Sequence, residues 1–218
     1  MTVNRTLRDK SPQELAERTL AYTSTRLNRP GLIECAIALS DNVNEQIDEL
    51  VPVVESRGVR FDCTAGCAYC CTLRVEASAP DIFRIARHLR TREDLPDLIE
   101  ELALYAERAR GLRPEDHYET CVFLENSRCS IYEKRPASCR KYLSTSVDAC
   151  RELDAPVPES EEMRFKSDAM LQGFSEALRR AGVSGDLYEL GQSLLVALTE
   201  SDAEIRWGNG ELVFPALP

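Results

Sequence analysis

Apolar residues recur at spacings of three and four along much of this chain, the periodicity of helices that bury one face. Ser11-Pro12-Gln13-Glu14 is a capping box with proline at the first helical position, which predicts a helix running from there to about Asn28. Arg29-Pro30-Gly31 interrupts the pattern. Leu32, Ala36, Leu39, Val43, Ile47 and Leu50 then mark a second helix that fades near Pro52 or at Gly58. Ser78-Ala79-Pro80-Asp81 opens a third, continued by Ile82, Ile85, Ala86 and Leu89. A fourth, over 94–110, carries Leu98, Leu102 and Tyr105 on one face. Gly182 ends a fifth helix over about 159–181, and a sixth covers about 186–201.

Elsewhere the helical period fails. Residues 63–76 read as loop, with a short extended piece at Leu73-Arg74-Val75. Residues 121–131 read as a hairpin turning at Asn126-Ser127, and 205–214, with Asn209-Gly210 inside, as a second small hairpin. Residues 139–158 read as irregular, closed by Ala155-Pro156-Val157-Pro158. The fold class is mainly α: helices around a cysteine-rich, loop-built metal centre with one or two short β-hairpins. Three regions follow, an N-terminal helical arm (1–62), a cysteine-cluster region (63–150) and a C-terminal acidic helical region (151–218), together one compact domain. There is no internal repeat.

Composition narrows the function classes. An apolar fraction of 43% with 29% charged residues over 218 positions is that of a soluble globular protein, not a disordered one. The formal net charge is −10, with 13 acidic and 6 basic side chains in 151–218, so the excess belongs mostly to solvated C-terminal helix faces. An acidic chain repels nucleic acid. No apolar run approaches the roughly 18 residues of a membrane span, and Met1-Thr2-Val3-Asn4 leads into no secretory pattern. The expectation is a cytoplasmic protein with no membrane and no nucleic-acid partner.

Candidate chemistry lies in the cysteines. Eight of nine fall in two sets: Cys63, Cys67, Cys70 and Cys71, then Cys121, Cys129, Cys139 and Cys150. In a reducing compartment structural disulfides are rare, and clustered cysteines bind metal or carry out redox chemistry. Thiolate selects zinc, copper(I) or iron–sulfur clusters. Each set of four could complete one tetrahedral centre, or all eight could surround two centres or one larger cluster. Gly66 permits the tight turn of the first loop. On an extended backbone Cys70 and Cys71 point to opposite faces, which favours a polynuclear or paired arrangement. Many thiolates need positive charge nearby, and Arg135, Arg140 and Lys141 beside Cys139 are placed to supply it behind the ligands.

Other residues have plainer readings. Cys35 is a small core residue, and His88 is a surface residue among Arg84, Arg87, Arg90 and Arg92. His117 is an exposed loop histidine in preference to a ligand or proton carrier. Tyr132 is an aromatic anchor packing the hairpin beneath the cluster, and Trp207 alone supports no pocket. Cys63 to Cys70, with Tyr69 before the third cysteine, resembles the cluster loop of radical S-adenosylmethionine enzymes. The strand–helix alternation and Gly-Gly element of those enzymes are missing here.

The whole arrangement resembles the CxxCxxCC, or YkgJ-like, family of zinc- or iron-chelating cysteine-cluster proteins. Cys63-x3-Cys67-x2-Cys70-Cys71 matches its first motif, with the first gap one residue longer. The second is matched by Cys121-Val122-Phe123-Leu124, the run from Arg128-Cys129 through Ile131-Tyr132-Glu133-Lys134-Arg135-Pro136 to Cys139-Arg140, and then Cys150. The resemblance implies a protein that holds zinc, or iron as an iron–sulfur cluster. Members are labelled metal-binding proteins or iron–sulfur oxidoreductases, and a related cluster occurs in flagellin lysine methylases. The alternatives are an iron–sulfur-dependent oxidoreductase or group-transfer enzyme with a protein redox partner, and a zinc-stapled adaptor. No catalytic residue is assigned.

Overall fold

The structure, a computed structural model, describes residues 5–27, 29–64, 66–152 and 157–217. Asn28, Met1 to Asn4 and Ala155-Pro156 lie outside the described residues. A single turn, α1 (Arg5–Arg8), leads into α2 (Pro12–Ser24). The capping box forms as the sequence predicts: Glu14 N donates to Ser11 Oγ at 3.2 Å, and Ser11 N donates to the Glu14 carboxylate at 2.8 Å. The central helix α3 (Leu32–Glu55) buries Ala36, Val43, Ile47, Leu50 and Val54. Pro52 sits within its last turn, and the helix ends between the two expected stops, with Gly58 left-handed (φ 91°) just beyond.

The strand β1 (Glu76–Ser78) runs directly into α4 (Ala79–Leu89), where Ser78 Oγ accepts from Asp81 N. α5 (Leu95–Ala109) follows. The hairpin of β2 (Leu124–Glu125) and β3 (Arg128–Cys129) turns at Asn126 and Ser127, both left-handed (φ 49° and 60°), the geometry that matches strand twist. Next come α6 (Ala137–Lys141), α7 (Val147–Glu152), α8 (Glu161–Arg180), β4 (Leu187–Glu189), α9 (Leu190–Thr199) and α10 (Ala203–Gly208). The fold is mainly α, with two small antiparallel strand pairs among the described residues.

Three local expectations are corrected. The predicted sixth helix begins with β4, which pairs with β1 in the register Glu76↔Glu189, Ala77↔Tyr188 and Ser78↔Leu187. Glu189 then caps α9, its carboxylate accepting from Gly191 N at 3.0 Å and Gln192 N at 2.7 Å. The predicted second hairpin is helix α10 and its exit. Trp207 is wholly buried with its ring 5.7 Å from Phe83, and that packing favours a helical over a hairpin arrangement. Residues 139–158, read as irregular, hold most of α6 and all of α7, both too short for a period to register.

α2 and α8 lie against each other at Gly173, where a Cβ would collide with the Ala16 carbonyl oxygen. One apolar core runs from Leu7 to Phe214 and joins these helices to the hairpin through Phe123 and Ile131. The cysteine loop and hairpin are laid on the end of this core where β1 and α4 begin.

Candidate metal centre

The first cysteine loop leaves α3 and is fastened at once. Asp62 N donates to the Ser144 carbonyl at 2.9 Å, and Ser144 N donates to Cys63 Sγ at 3.2 Å. Gly66, at φ 98°, makes the turn before Cys67. A single 3₁₀ turn, Tyr69–Thr72, then carries Cys70 and Cys71. This corrects the extended-backbone expectation. The tight turn sets both thiols on the same cavity, close enough to hydrogen-bond each other.

The second set is brought in by backbone bonds. Cys121 N donates to the Cys71 carbonyl at 2.8 Å, and Leu124 N donates to the Cys121 carbonyl at 3.0 Å. The hairpin delivers Cys129. Pro136 ends the following loop and α6 holds Cys139, with Ser138 Oγ donating to the Glu76 carbonyl at 2.6 Å. A cavity of about 90 Å³ results. Cys67, Cys70, Cys71, Cys121, Cys129 and Cys139 line it, over an apolar wall that includes Phe123, Ile131 and Leu190.

Cys63 and Cys150 are not on that cavity wall. Burial pushes the Cys63 thiol up, the Ser144 N–H opposes this, and Cys67, Cys70 and Cys150 nearby add to it. The structure therefore does not keep the two sequence sets apart. Cys121, Cys129 and Cys139 join Cys70 and Cys71, while Cys150 approaches Cys63. Cys70 is the common neighbour of both groups. Its thiol is pushed up by its bond with Cys71 and by burial. Burial alone leads for Cys121, pushed up to about 11, and for Cys139 and Cys129.

The arginines divide. Arg135 lines the cavity, stacks over the Tyr132 ring at 4.0 Å, and favours the thiolate at Cys70, Cys129 and Cys139 against those effects. Arg140 reaches elsewhere, donating to the Arg135 carbonyl at 2.9 Å, to the Glu133 carbonyl at 2.7 Å and to Asp48. Lys141 pairs with Asp168 on α8.

His117 is corrected outright: only 1% exposed, it sits inside a buried trio. Tyr105 Oη donates to Glu189 at 2.8 Å, so the 3.0 Å contact between Tyr105 Oη and His117 Nε2 is a donation from the histidine. Nothing in the sequence joins these three positions. His88 is exposed, and Cys35 packs against the core from a half-buried position. Tyr132 lines the cavity under Arg135 but is 39% exposed, so it is not the expected packed anchor. Arg84, a neighbour of His88 in the sequence, is 5% exposed.

Among the described residues, six thiols and no carboxylate line this one small cavity, a donor set whose chemistry suits soft or borderline metal ions. Residues 62–166 match the model of the CxxCxxCC family, described as "Putative zinc- or iron-chelating domain". No curated protein and no solved structure matches the chain. The donor chemistry fits zinc or iron: six sulfurs share one cavity with a buried Arg135 Nε that has no hydrogen-bond partner among the described residues. Among the described residues no three Cys, His, Asp or Glu side chains converge closely enough to hold an ion as they stand. Also among the described residues, no helix is long and apolar enough to cross a membrane.

Proposed function

We propose that this protein holds a polynuclear, thiolate-ligated metal centre, with iron in an iron–sulfur cluster as the leading occupant. The observation that carries the reading is the six-thiol cavity. One tetrahedral zinc takes four ligands, so six sulfurs on one wall exceed what a single ion uses. Cys67, Cys70, Cys71, Cys121, Cys129 and Cys139 would hold the centre, and Cys63 and Cys150, beside Cys67 and Cys70, would complete an eight-cysteine set. Such a cluster supplies one-electron chemistry when bound. The chain's own residues exclude water with the apolar wall and keep the thiols within one loop-and-hairpin frame. Thiols kept reduced are those of a cytoplasmic compartment.

A zinc pair is the second reading, favoured by the two thiol neighbourhoods that share Cys70. It would staple the loop to the hairpin. Purification without oxygen, followed by metal and acid-labile sulfide analysis, separates the two. Iron with comparable sulfide supports the cluster. A colourless protein with about two zinc ions and no sulfide supports the pair.

A further inference from the structure

Arg135 has an unusual setting. Among the described residues it is the one cationic side chain lining the six-thiol cavity and its buried Nε has no hydrogen-bond partner, while its guanidinium lies over the Tyr132 ring at 4.0 Å. Its nearest acid, Asp48, lies 3.9 Å away and is shared with Arg140. The backbone behind it is held just as firmly. The Arg135 carbonyl accepts from Arg140 Nε at 2.9 Å and from Arg84 Nη2 at 3.3 Å. Those two arginines are 9% and 5% exposed. Arg84 is itself fixed by Asp81 at 2.9 Å, whose carboxylate also accepts from Ser40 at 2.9 Å and Asn44 at 2.7 Å. A buried polar network in the α3–α4 interface therefore ends on the peptide that carries the cavity's cation.

We propose that Arg135 is a positioning residue of the metal centre, giving the gathered thiolates a fixed positive charge and a free N–H donor, and that Arg140 and Arg84 act on the centre only through it. The inference rests on the metal-binding reading above. Thiolates in this number carry more negative charge than the ions they bind, and the excess is costly in a cavity walled by Phe123, Ile131 and Leu190. A cation that enters with the thiols lowers that cost. Outer partners of this kind are worth about 10- to 100-fold in metal affinity.

The test uses the full chain, reduced and metal-free, titrated with zinc(II) against a chromophoric chelator. Arg135→Gln is expected to weaken zinc(II) binding about tenfold or more, and Arg135→Lys to recover most of it, with the metal-free unfolding midpoint of both near that of the parent. Arg140→Gln should weaken binding in the parent but add nothing to Arg135→Gln. Equal affinity in Arg135→Gln and the parent would overturn the proposal. So would Lys failing as completely as Gln, since the stack and not the charge would then be at work, or additive losses in the double variant. Failure of the parent itself to bind zinc(II) would instead overturn the metal-binding reading.

Discussion

Cys121 N donates to the carbonyl of Cys71 at 2.8 Å, and this backbone bond joins the two halves of the cysteine motif. The first cysteine loop has no sheet or long helix to hold it. It is fixed near Cys63 by two bonds to Ser144 and at Cys71 by the bond from Cys121. The second cysteine set thus scaffolds the first, and metal loading is expected to be cooperative between them.

Cys67→Ser and Cys129→Ser should each lose metal, although they stand on different segments, because both thiols line the same cavity. Cys35→Ser, packed on the far core, should retain it. Metal-to-protein ratios after identical purification check this. Full loading in both of the first two variants would sink the assignment.

The metal-free protein should lose stability at alkaline pH. Burial pushes the Cys121 thiol from its ordinary 9.0 up to about 11, and Cys129 and Cys139 move in the same direction. The folded pKa lies above the unfolded one, so the contribution is complete below about pH 9 and is lost as pH rises towards about 11. Urea midpoints at neutral pH and near pH 10.5 should fall for the metal-free form, and fall less once metal has already removed these protons. A metal-free midpoint unchanged over that interval would contradict the burial of these thiols.

Asp81→Ala should destabilise the fold by about 3–5 kcal/mol, because it leaves Arg84 buried without its main partner. Asp41, 3.2 Å from Arg84 Nε, is largely at the surface and compensates little. Denaturant unfolding measures the cost. A loss below about 1 kcal/mol would mean that the network contributes little to holding α3 against α4.

Local chemistry was legible in the sequence where it acts over a few residues. Ser11 and Glu14 cap α2 across three positions, Ser78 starts α4, and Asn126-Ser127 turns the hairpin. What was hidden depends on partners distant in the chain. Leu187-Tyr188-Glu189 reads as the first turn of a helix because only Glu76 to Ser78, elsewhere in the sequence, makes it a strand. Trp207 fixes α10 by packing on Phe83, which no local pattern records. At the site, the spacing identified every cysteine on the cavity wall but divided them by position in the chain. The fold instead mixes the sets, because the Cys121–Cys71 bond and the Cys63–Ser144 bond cross between them. His117 was misplaced for the same reason: its burial goes with Tyr105 and Glu189, whose roles appear only in three dimensions.

The central claim is that sulfur from the cavity cysteines binds the metal. X-ray absorption at the iron and zinc edges of the protein purified without oxygen tests it most directly. A shell of sulfur alone at about 2.3 Å, lost in Cys67→Ser and Cys129→Ser and kept in Cys35→Ser, is the predicted result. A first shell dominated by nitrogen or oxygen, or one unchanged in the two cavity variants, would contradict it.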